Sequence, residues 1–550
     1  MSSITYTITS DNKAMPAGYN LLSISVSNEV NRISYAEMVL IDGDYSKLEY
    51  SISDGDFFDP GKKISISIRE EGQSEKEKVI FKGLVITQSL RYDQGNSLLT
   101  VEMSDEAIRM TTIKQSDVFK NIKDSELIAK LIFNSRIGKG KVDETKFKHE
   151  SIVQYHCTNW DMLLSRADVN GLLVTAVNGS ISARAPKLST PSVKTFKLGV
   201  DVIYDLDLKL DISNQYAGIQ TNTWNDTNHS VVGKSDIPSF DLTQGTLKAA
   251  GIKKISGDKP EQLLALVPLS AEEENAWGEA RMLRTRLSML KGSFKVDGIT
   301  SLNLMDNINL EGMGLKFAGV TMITGIRHEV TENGWFTHLQ FGLGADWLSG
   351  TTPLTALPAS GLLPGINGLQ TAIVEAIELD ASERARVKVR MFGVAGADKV
   401  VWARMATLDA GHKRGTFFWP EKDDEVVLGF INDDPRYPVI LGSLYGSKNT
   451  APVEWDDTNA RKGFLSKTGL MLLFNDDAQQ ITISASDKSY IIISEGRKAI
   501  EINDVNGNNI TLNSDGVVIN AAENLVIEAK GDVSIKGKTV KIEGNKIEFK

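Results

Sequence analysis

The chain has 550 residues, with 61 Lys and Arg against 71 Asp and Glu, a formal charge of −10. At roughly 100–200 residues per domain this length gives about three to five domains, and 41% hydrophobic with 24% charged residues excludes a mainly disordered or collagen-like chain. An acidic chain has no general attraction for phosphate backbones or anionic lipid, and with Cys157 as its single cysteine it forms neither an intrachain disulfide nor a cysteine zinc cluster.

The N-terminus, Met1-Ser2-Ser3-Ile4-Thr5, has no basic start and no apolar stretch of signal-peptide length, and no run of about 18 apolar residues follows. Synthesis in the cytoplasm without a cleaved signal is therefore expected. Residues 1 to about 110 alternate in short strand-like runs, such as Leu22–Val26 and Ile64–Ile68, between Asp-Gly and Pro-Gly turns, the pattern of a barrel or sandwich. Between about 115 and 190 the period changes. Leu127, Ile128, Leu131 and Ile132 share one helical face, and Trp160, Leu163, Leu164 and Ala167 share another that Gly171 ends, so a small α/β insert is predicted. A third helix is predicted from Ser270, whose spacing to Glu273 fits a capping box, with Ala276, Ala280, Leu283, Leu287 and Leu290 as its stripe. Strands then run to about 345.

Residues 348–370 hold three of the 14 prolines and read as a linker. From about 371 to 450 short strands recur, among them Arg386–Arg390, Val400–Arg404 and Glu425–Phe430, which suits a small OB-like barrel. A neck over 451–480 leads to the most informative segment. From 481 onward apolar pairs two residues apart repeat every seven to ten residues: Ile481/Ile483, Ile491/Ile493, Ile500/Ile502, Ile510/Leu512, Val517/Ile519, Leu525/Ile527, Val533/Ile535, Val540/Ile542 and Ile547/Phe549. Residues two apart lie on one face of a strand, and Thr, Glu, Ser or Lys mostly fills the position between, with Ile492, Val518 and Val526 as exceptions. This is the pattern of a β-solenoid. One chain of such short strands encloses little core, and its edges invite pairing with other copies. Three copies around one axis would bury the pairs and form a needle about 43 Å long.

Motifs of hydrolases, zincins and P-loop proteins are absent: the chain has no Gly-x-Ser-x-Gly, His-Glu-x-x-His or Gly-x-x-x-x-Gly-Lys-Ser/Thr. His156-Cys157 has poor geometry for a nucleophile and its base, because neighbours in a strand point to opposite faces. His149 and His156 could join a metal site only with ligands from elsewhere, and His328 and His338 could face each other across a hairpin. Asp504, Asn506 and Asn508 begin with calcium-loop spacing but continue with Asn509 and Asp515 where Gly and Glu are needed. They read as a turn, as does Asp433-Asp434 before Pro435.

The segment Glu421–Tyr445, with its core Asp434-Pro435-Arg436-x-Pro438-Val439-Ile440-x-Gly442, resembles the OB domain of VgrG proteins, the spikes of type VI secretion and related contractile injection systems. Trp160-Asp161-Met162-Leu163-Leu164-x-Arg166-Ala167-x-x-x-Gly171 resembles the helical motif of phage tail hubs. Gly325-Ile326-x-His328 with Gly334-Trp335-x-Thr337 resembles the closing hairpin of their second barrel. The resemblance implies a mainly β protein: two hub β-barrels with the insert over 1–347, an OB-fold collar over 371–450, and a trimeric intertwined β-helix needle over 481–550. It implies a homotrimer docked on a hexameric inner tube among baseplate proteins, capped by a PAAR-type tip protein and carrying effector cargo. The needle core would be Ile483, Ile493, Ile502, Leu512, Ile519, Ile527, Ile535, Ile542 and Phe549, and the cap would meet Ile547, Phe549 and Lys550. The particle would act outside the cell or be delivered through a target envelope, touching membrane only while piercing. The short form is most like spikes of extracellular phage-tail-like particles or compact type VI systems.

Some tips in this family bind iron through histidines, and this chain has no His beyond His412, so no metal, cofactor, catalytic residue or nucleic-acid partner is expected. Two rivals stand beside this reading. A tailspike-like enzyme would cleave surface polysaccharide through carboxylates on a solenoid face, and a monomeric OB protein would bind a sugar or oligonucleotide.

Overall fold

The computed structural model describes residues 4–43, 49–70, 77–93, 96–225, 227–251, 255–352, 354, 356–379, 385–393 and 399–548. Two compact units divide at Ala356 and Leu357.

The first unit opens with β1 (Ile4–Ser10), β2 (Lys13–Ala14), β3 (Asn20–Glu29), β4 (Tyr35–Ile41), β5 (Lys63–Glu70), β6 (Lys78–Asp93) and β7 (Asn96–Ser104). The insert follows as β8 (Lys114–Lys123), α1 (Asp124–Asn134), β9 (Gly138–Val142), β10 (Lys148–Thr158), α2 (Asn159–Val169), β11 (Leu173–Val177) and β12 (Ser180–Arg184). Next come β13 (Lys194–Lys197), β14 (Ile203–Leu210), β15 (Gly218–Asn225), β16 (Ser230–Pro238), β17 (Glu261–Ala265), α3 (Ala271–Leu287), β18 (Leu290–Asp297), β19 (Asn307–Glu311), β20 (Gly319–Thr331) and β21 (Gly334–Phe341).

Apolar residues at alternate positions of β3, β4, β5 and β7 build one core, with Val26, Met38, Ile66 and Val101 inside it. Phe294, Ile308, Leu310, Leu339 and Phe341 build a second. The strands around the two cores join in a single 13-stranded sheet, in the order β14-β18-β21-β20-β3-β4-β7-β6-β5-β1-β2 with β13 and β19 attached beside β20. The junction is β20. Its first residues pair with β19, Gly319 to Met322 against Leu310 to Asn307, and its later ones pair with β3, Gly325 to Val330 against Glu29 to Ile24. Trp335 from β21 is buried in the first core, and a Cβ on Gly298 would stand 2.0 Å from its ring, so only glycine fits there.

The helices follow the apolar periodicity of the sequence. Leu127, Ile128, Leu131 and Ile132 of α1 and Trp160, Leu163, Leu164 and Ala167 of α2 are buried together. Thr158 caps α2 by accepting from the Asp161 N–H, and Gly171 follows its C-cap at φ +63°, the left-handed geometry that ends a helix. Ser270 caps α3 by accepting from the Glu273 N–H. That helix is one turn shorter than its predicted stripe, because Ser288 is the C-cap and Leu290 already belongs to β18. Its buried face is also more polar than the stripe suggests, with Glu274, Thr285 and Arg286 all inaccessible. No described helix is long and apolar enough to cross a membrane.

In the second unit, β22 (Gln370–Leu379), β23 (Ala385–Met391), β24 (Val401–Met405), the small hairpin β25 (Ala410–Gly411) and β26 (Arg414–Gly415), β27 (Glu425–Phe430) and β28 (Pro438–Ser443) follow in turn. A barrel closes in the order β22-β23-β24-β28-β27, around Ala372, Val374, Val387, Val389, Ala403, Val426, Leu428 and Ile440. Its closing pair, β24 with β28, is parallel.

The last regular element is an antiparallel meander of β29 (Arg461–Leu465), β30 (Met471–Asn475), β31 (Gln480–Ser484), β32 (Tyr490–Ser494), β33 (Ala499–Asn503), β34 (Asn509–Asn513) and β35 (Gly516–Asn520). Each strand pairs with the next, so the ladder starts about 20 residues before the repeat visible in the sequence. It ends at Asn520, and residues 521–548 form no strand. Two-residue hairpins favour Asn-Gly and Asp-Gly. Asn506-Gly507 lies in the turn before β34, and Ser514-Asp515 is the two-residue turn after it.

Candidate functional site

Two parts of the second unit carry the sequence-derived site residues. The first is the turn between β27 and β28. Asn432 and Asp433 adopt φ of 54° and 57°, conformations that Asn and Asp tolerate best among residues with a side chain. The chain then turns at Asp434-Pro435-Arg436-Tyr437, with the Tyr437 N–H donating to the Asp434 carbonyl at 2.9 Å and proline at the second position, where its fixed φ suits the turn. Arg436 grips the Asp434 carboxylate with Nε at 2.9 Å and Nη2 at 2.6 Å, while its own backbone N–H donates to the same group. This fork holds the Asp434 carboxyl below its usual range. Pro438 is buried opposite Phe430, and Gly442 pairs with Val427. The Asp433 carbonyl accepts from the Ile366 N–H at 2.8 Å, which ties the segment entering the barrel to the motif. These contacts make a structural clasp, and they leave Asp434 engaged rather than paired with Asp433 for proton transfer.

The second part is the ladder. Its register places Ile481, Ile493, Ile500, Leu512 and Val517 in one column and Ile483, Ile491, Ile502, Ile510 and Ile519 in the next, all on one face. None of the hydrophobic cores among the described residues includes a ladder side chain. Ile483, Ile493 and Ile519 remain 47%, 45% and 50% exposed. Fully burying an aliphatic side chain is worth about 1.5–3 kcal/mol, so about half of that, 0.7–1.5 kcal/mol, stays ungained at each such position. Ile527, Ile535, Ile542 and Ile547 are exposed outside the ladder. Phe549 and Lys550 lie outside the described residues.

The polar motifs of the first unit resolve into local structure. His156 has φ +45° at a bulge of β10, and burial pushes the neighbouring Cys157 thiol up, away from the thiolate. His328 and His338 point to opposite faces of the β20–β21 hairpin. His328 is buried against Thr337, whereas His338 contacts Glu329 at 2.9 Å. In the ladder, Asp504 accepts from the Asn506 and Asn508 backbone at 2.9 and 2.8 Å, forming the turn between β33 and β34. Among the described residues no cluster of three or more His, Cys, Asp or Glu is arranged to hold a metal ion.

An ionic group that the sequence reading missed fastens the insert. Arg166 on α2 forks onto buried Asp124 at the start of α1, with Nε at 2.7 Å and Nη2 at 2.9 Å. His149 Nε2 stands 3.2 Å from the same carboxylate. Burial pushes this carboxyl up, but the Arg166 fork, with Asn170 and His149, more than offsets that and leaves it below the usual range. Arg166 also approaches Glu273 of α3 at 3.4 Å. The arginine of the quoted helical motif was the available signal, but its partners are 42 and 107 residues away.

Residues 370–445 match the family model of the type VI secretion system/phage-baseplate injector OB domain. Among curated proteins, the chain is similar to the type VI secretion system spike protein VgrG5 of Pseudomonas aeruginosa, 34% identical over 110 residues that are 18% of this chain and 14% of the relative. It is likewise similar to VgrG1b of that organism, 27% identical over 159 residues, 27% of this chain and 21% of the relative. The chain thus spans about a fifth or less of the length of these relatives. Among solved structures it is similar to the 43 kDa tail protein of prophage MuSo2 from Shewanella oneidensis, with a TM-score of 0.48 and 13% identity over 62% of this chain and 99% of that one. The barrel of β22–β28 is thus similar to the injector OB domain, and the chain is similar over part of its length to VgrG spike proteins. Residues 1–332 match the family model described as the Alg8 N-terminal domain, and the chain belongs to that family.

Proposed function

We propose that the chain is a non-enzymatic, homotrimeric spike and hub of a contractile injection machine. In this reading the first unit docks on a hexameric inner tube within the baseplate, and the OB barrels form a collar. The ladder and the repeats after it wind around two sister copies into a needle. A PAAR-type protein sharpens the tip, effector cargo travels with the spike, and sheath contraction drives it through the target envelope. The assembled particle leaves the cytoplasm as an extracellular device or is delivered through the envelope.

The observation that carries this reading is the two-column aliphatic face, in register over five strands and without a core of its own. The match of residues 370–445 to an injector OB domain and the partial similarity to type VI spike proteins support it. Electron images of the purified chain, alone and coexpressed with its tube protein, test it. Three-fold particles with a projecting spike that seat on tube hexamers are expected. Spikeless particles that ignore the tube would overturn it, and turnover of envelope glycan abolished by one carboxylate substitution would favour the tailspike enzyme.

A further inference from the structure

The loop from β26 to β27 contains Thr416-Phe417-Phe418-Trp419-Pro420-Glu421, and its three aromatic side chains are 82%, 65% and 40% exposed. One of them reaches the ladder. Phe418 stacks on Phe464 of β29, with ring centroids 5.3 Å apart and planes 10° from parallel. Lys467, in the turn after β29, ties the same loop by donating to the Glu421 carboxylate at 3.1 Å.

Phe464 heads one of the aliphatic columns. It lies opposite Leu472, Leu472 opposite Ile483 and Ile483 opposite Ile491, so the column that ends at Ile519 begins at this ring. The neighbouring column runs back through Ile481 to Phe474 and there meets Lys462. The Phe418 stack therefore carries the apolar face past the end of the ladder and onto the barrel. Stacking does not bury it, since Phe464 is still 51% exposed. At about 200 Å² for each aromatic side chain, the four rings leave on the order of 500 Å² open, toward the upper end of the largest apolar patches on monomers. A stable interface takes about 800 Å² from each partner, which this patch and the adjoining ladder columns together supply.

We propose that these rings are a contact for a second copy of this chain: the first ladder strands of a sister chain cover Phe418 and Phe464. This contact rests on the homotrimeric reading and adds a barrel loop to its interface. In a cyclic trimer every residue sits at the same height as its two copies. The sister surface that faces the stack is then the same level of the ladder, with Phe464, Leu472 and Phe474 on its apolar face. Barrel and ladder are thereby joined between chains as well as within them.

Hydroxyl-radical footprinting and light scattering on the full chain test the assignment, with Ile502→Asp, altered in the middle of the same ladder face, as the dissociated reference. In the parent trimer Phe418 and Phe464 are expected to oxidise several-fold more slowly than in the reference. Phe418→Ser, at an exposed position of the single chain, should leave the barrel folded and raise the concentration at which the trimer dissociates about tenfold or more. Footprinting of the parent needs no change in the loop, so it decides the matter should Phe418→Ser fail to fold. A parent that is itself monomeric would overturn the trimeric reading and this contact together. A trimeric parent whose two rings oxidise as fast as in the reference, which would leave them to another kind of partner, would overturn this contact alone. So would a folded Phe418→Ser trimer that dissociates at the same concentration as the parent.

Discussion

Replacing Ile502 by Asp puts the needle reading under the greatest strain. In the isolated chain Ile502 is 38% exposed and lies between Ile491 and Ile510 across the strands, so the change there costs about 1 kcal/mol, the span of strand propensities. In a trimer the same position is closed by two sister chains. Each copy then loses about 1.5–3 kcal/mol of aliphatic burial, and three carboxylates approach one axis at several kcal/mol each. Together these exceed about 10 kcal/mol per trimer, comparable with the whole stability of an ordinary domain. Size-exclusion chromatography with light scattering, and limited proteolysis of residues 461–550, read the result. The Ile502→Asp chain is expected as a monomer with a cleavable tail and an intact collar and hub. Thr482→Lys, on the opposite face of the ladder, should remain a protected trimer. An Ile502→Asp trimer as stable as the parent would refute the packing argument.

Asp124→Ala leaves the Arg166 guanidinium buried without its carboxylate, and a loss of about 3–5 kcal/mol is expected in urea unfolding of the first unit at pH 7. Because the folded Asp124 carboxyl lies below its unfolded value, its contribution is complete above about pH 4. It should fade as pH falls through the lower folded value, so variant and parent converge in acid. Asp434→Asn should lower the unfolding midpoint of the barrel at pH 7 and leave it nearly unchanged in strong acid, by the same sign, since the Arg436 fork depresses that carboxyl. Gly298→Ala forces a methyl group into the Trp335 ring, and a loss of about 1–3 kcal/mol with altered tryptophan fluorescence is expected. Ser270→Ala removes the α3 cap at a cost of about 1 kcal/mol, measurable in thermal unfolding.

Periodicity made the mainly β character, the insert helices and the OB-type barrel legible, because each is encoded within some 20 residues. The Leu127–Ile132 face and the Asp434–Gly442 motif needed no distant partner to be recognised. Pairings across long loops were not legible. Nothing in the sequence of β20 shows that one end pairs with β19 and the other with β3, nearly 300 residues upstream, which joins the strands around the two cores into one sheet. Apolar spacing also carried the α3 stripe past Ser288 to Leu290. It gave no hint that Arg286 is wholly buried, donating to the Gln215 side chain at 2.6 Å and the Phe240 carbonyl at 2.8 Å. The ladder shows both sides of the limit. Its two-apart pairs mark the strands from Ile481 to Ile519, but β29 and β30 lack that regular spacing and fall within the stretch that reads as a neck. The pairs after Asn520 carry the apolar pattern, yet residues 521–548 form no strand.

The mass of the purified chain in solution, measured by light scattering across a dilution series, tests the central claim most directly. One chain is 60.2 kDa, and a particle of three times that mass, about 181 kDa, that persists on dilution is the expected result. A stable 60.2 kDa species whose residues 461–550 resist protease would contradict it, because the aliphatic columns would then be content without sister chains.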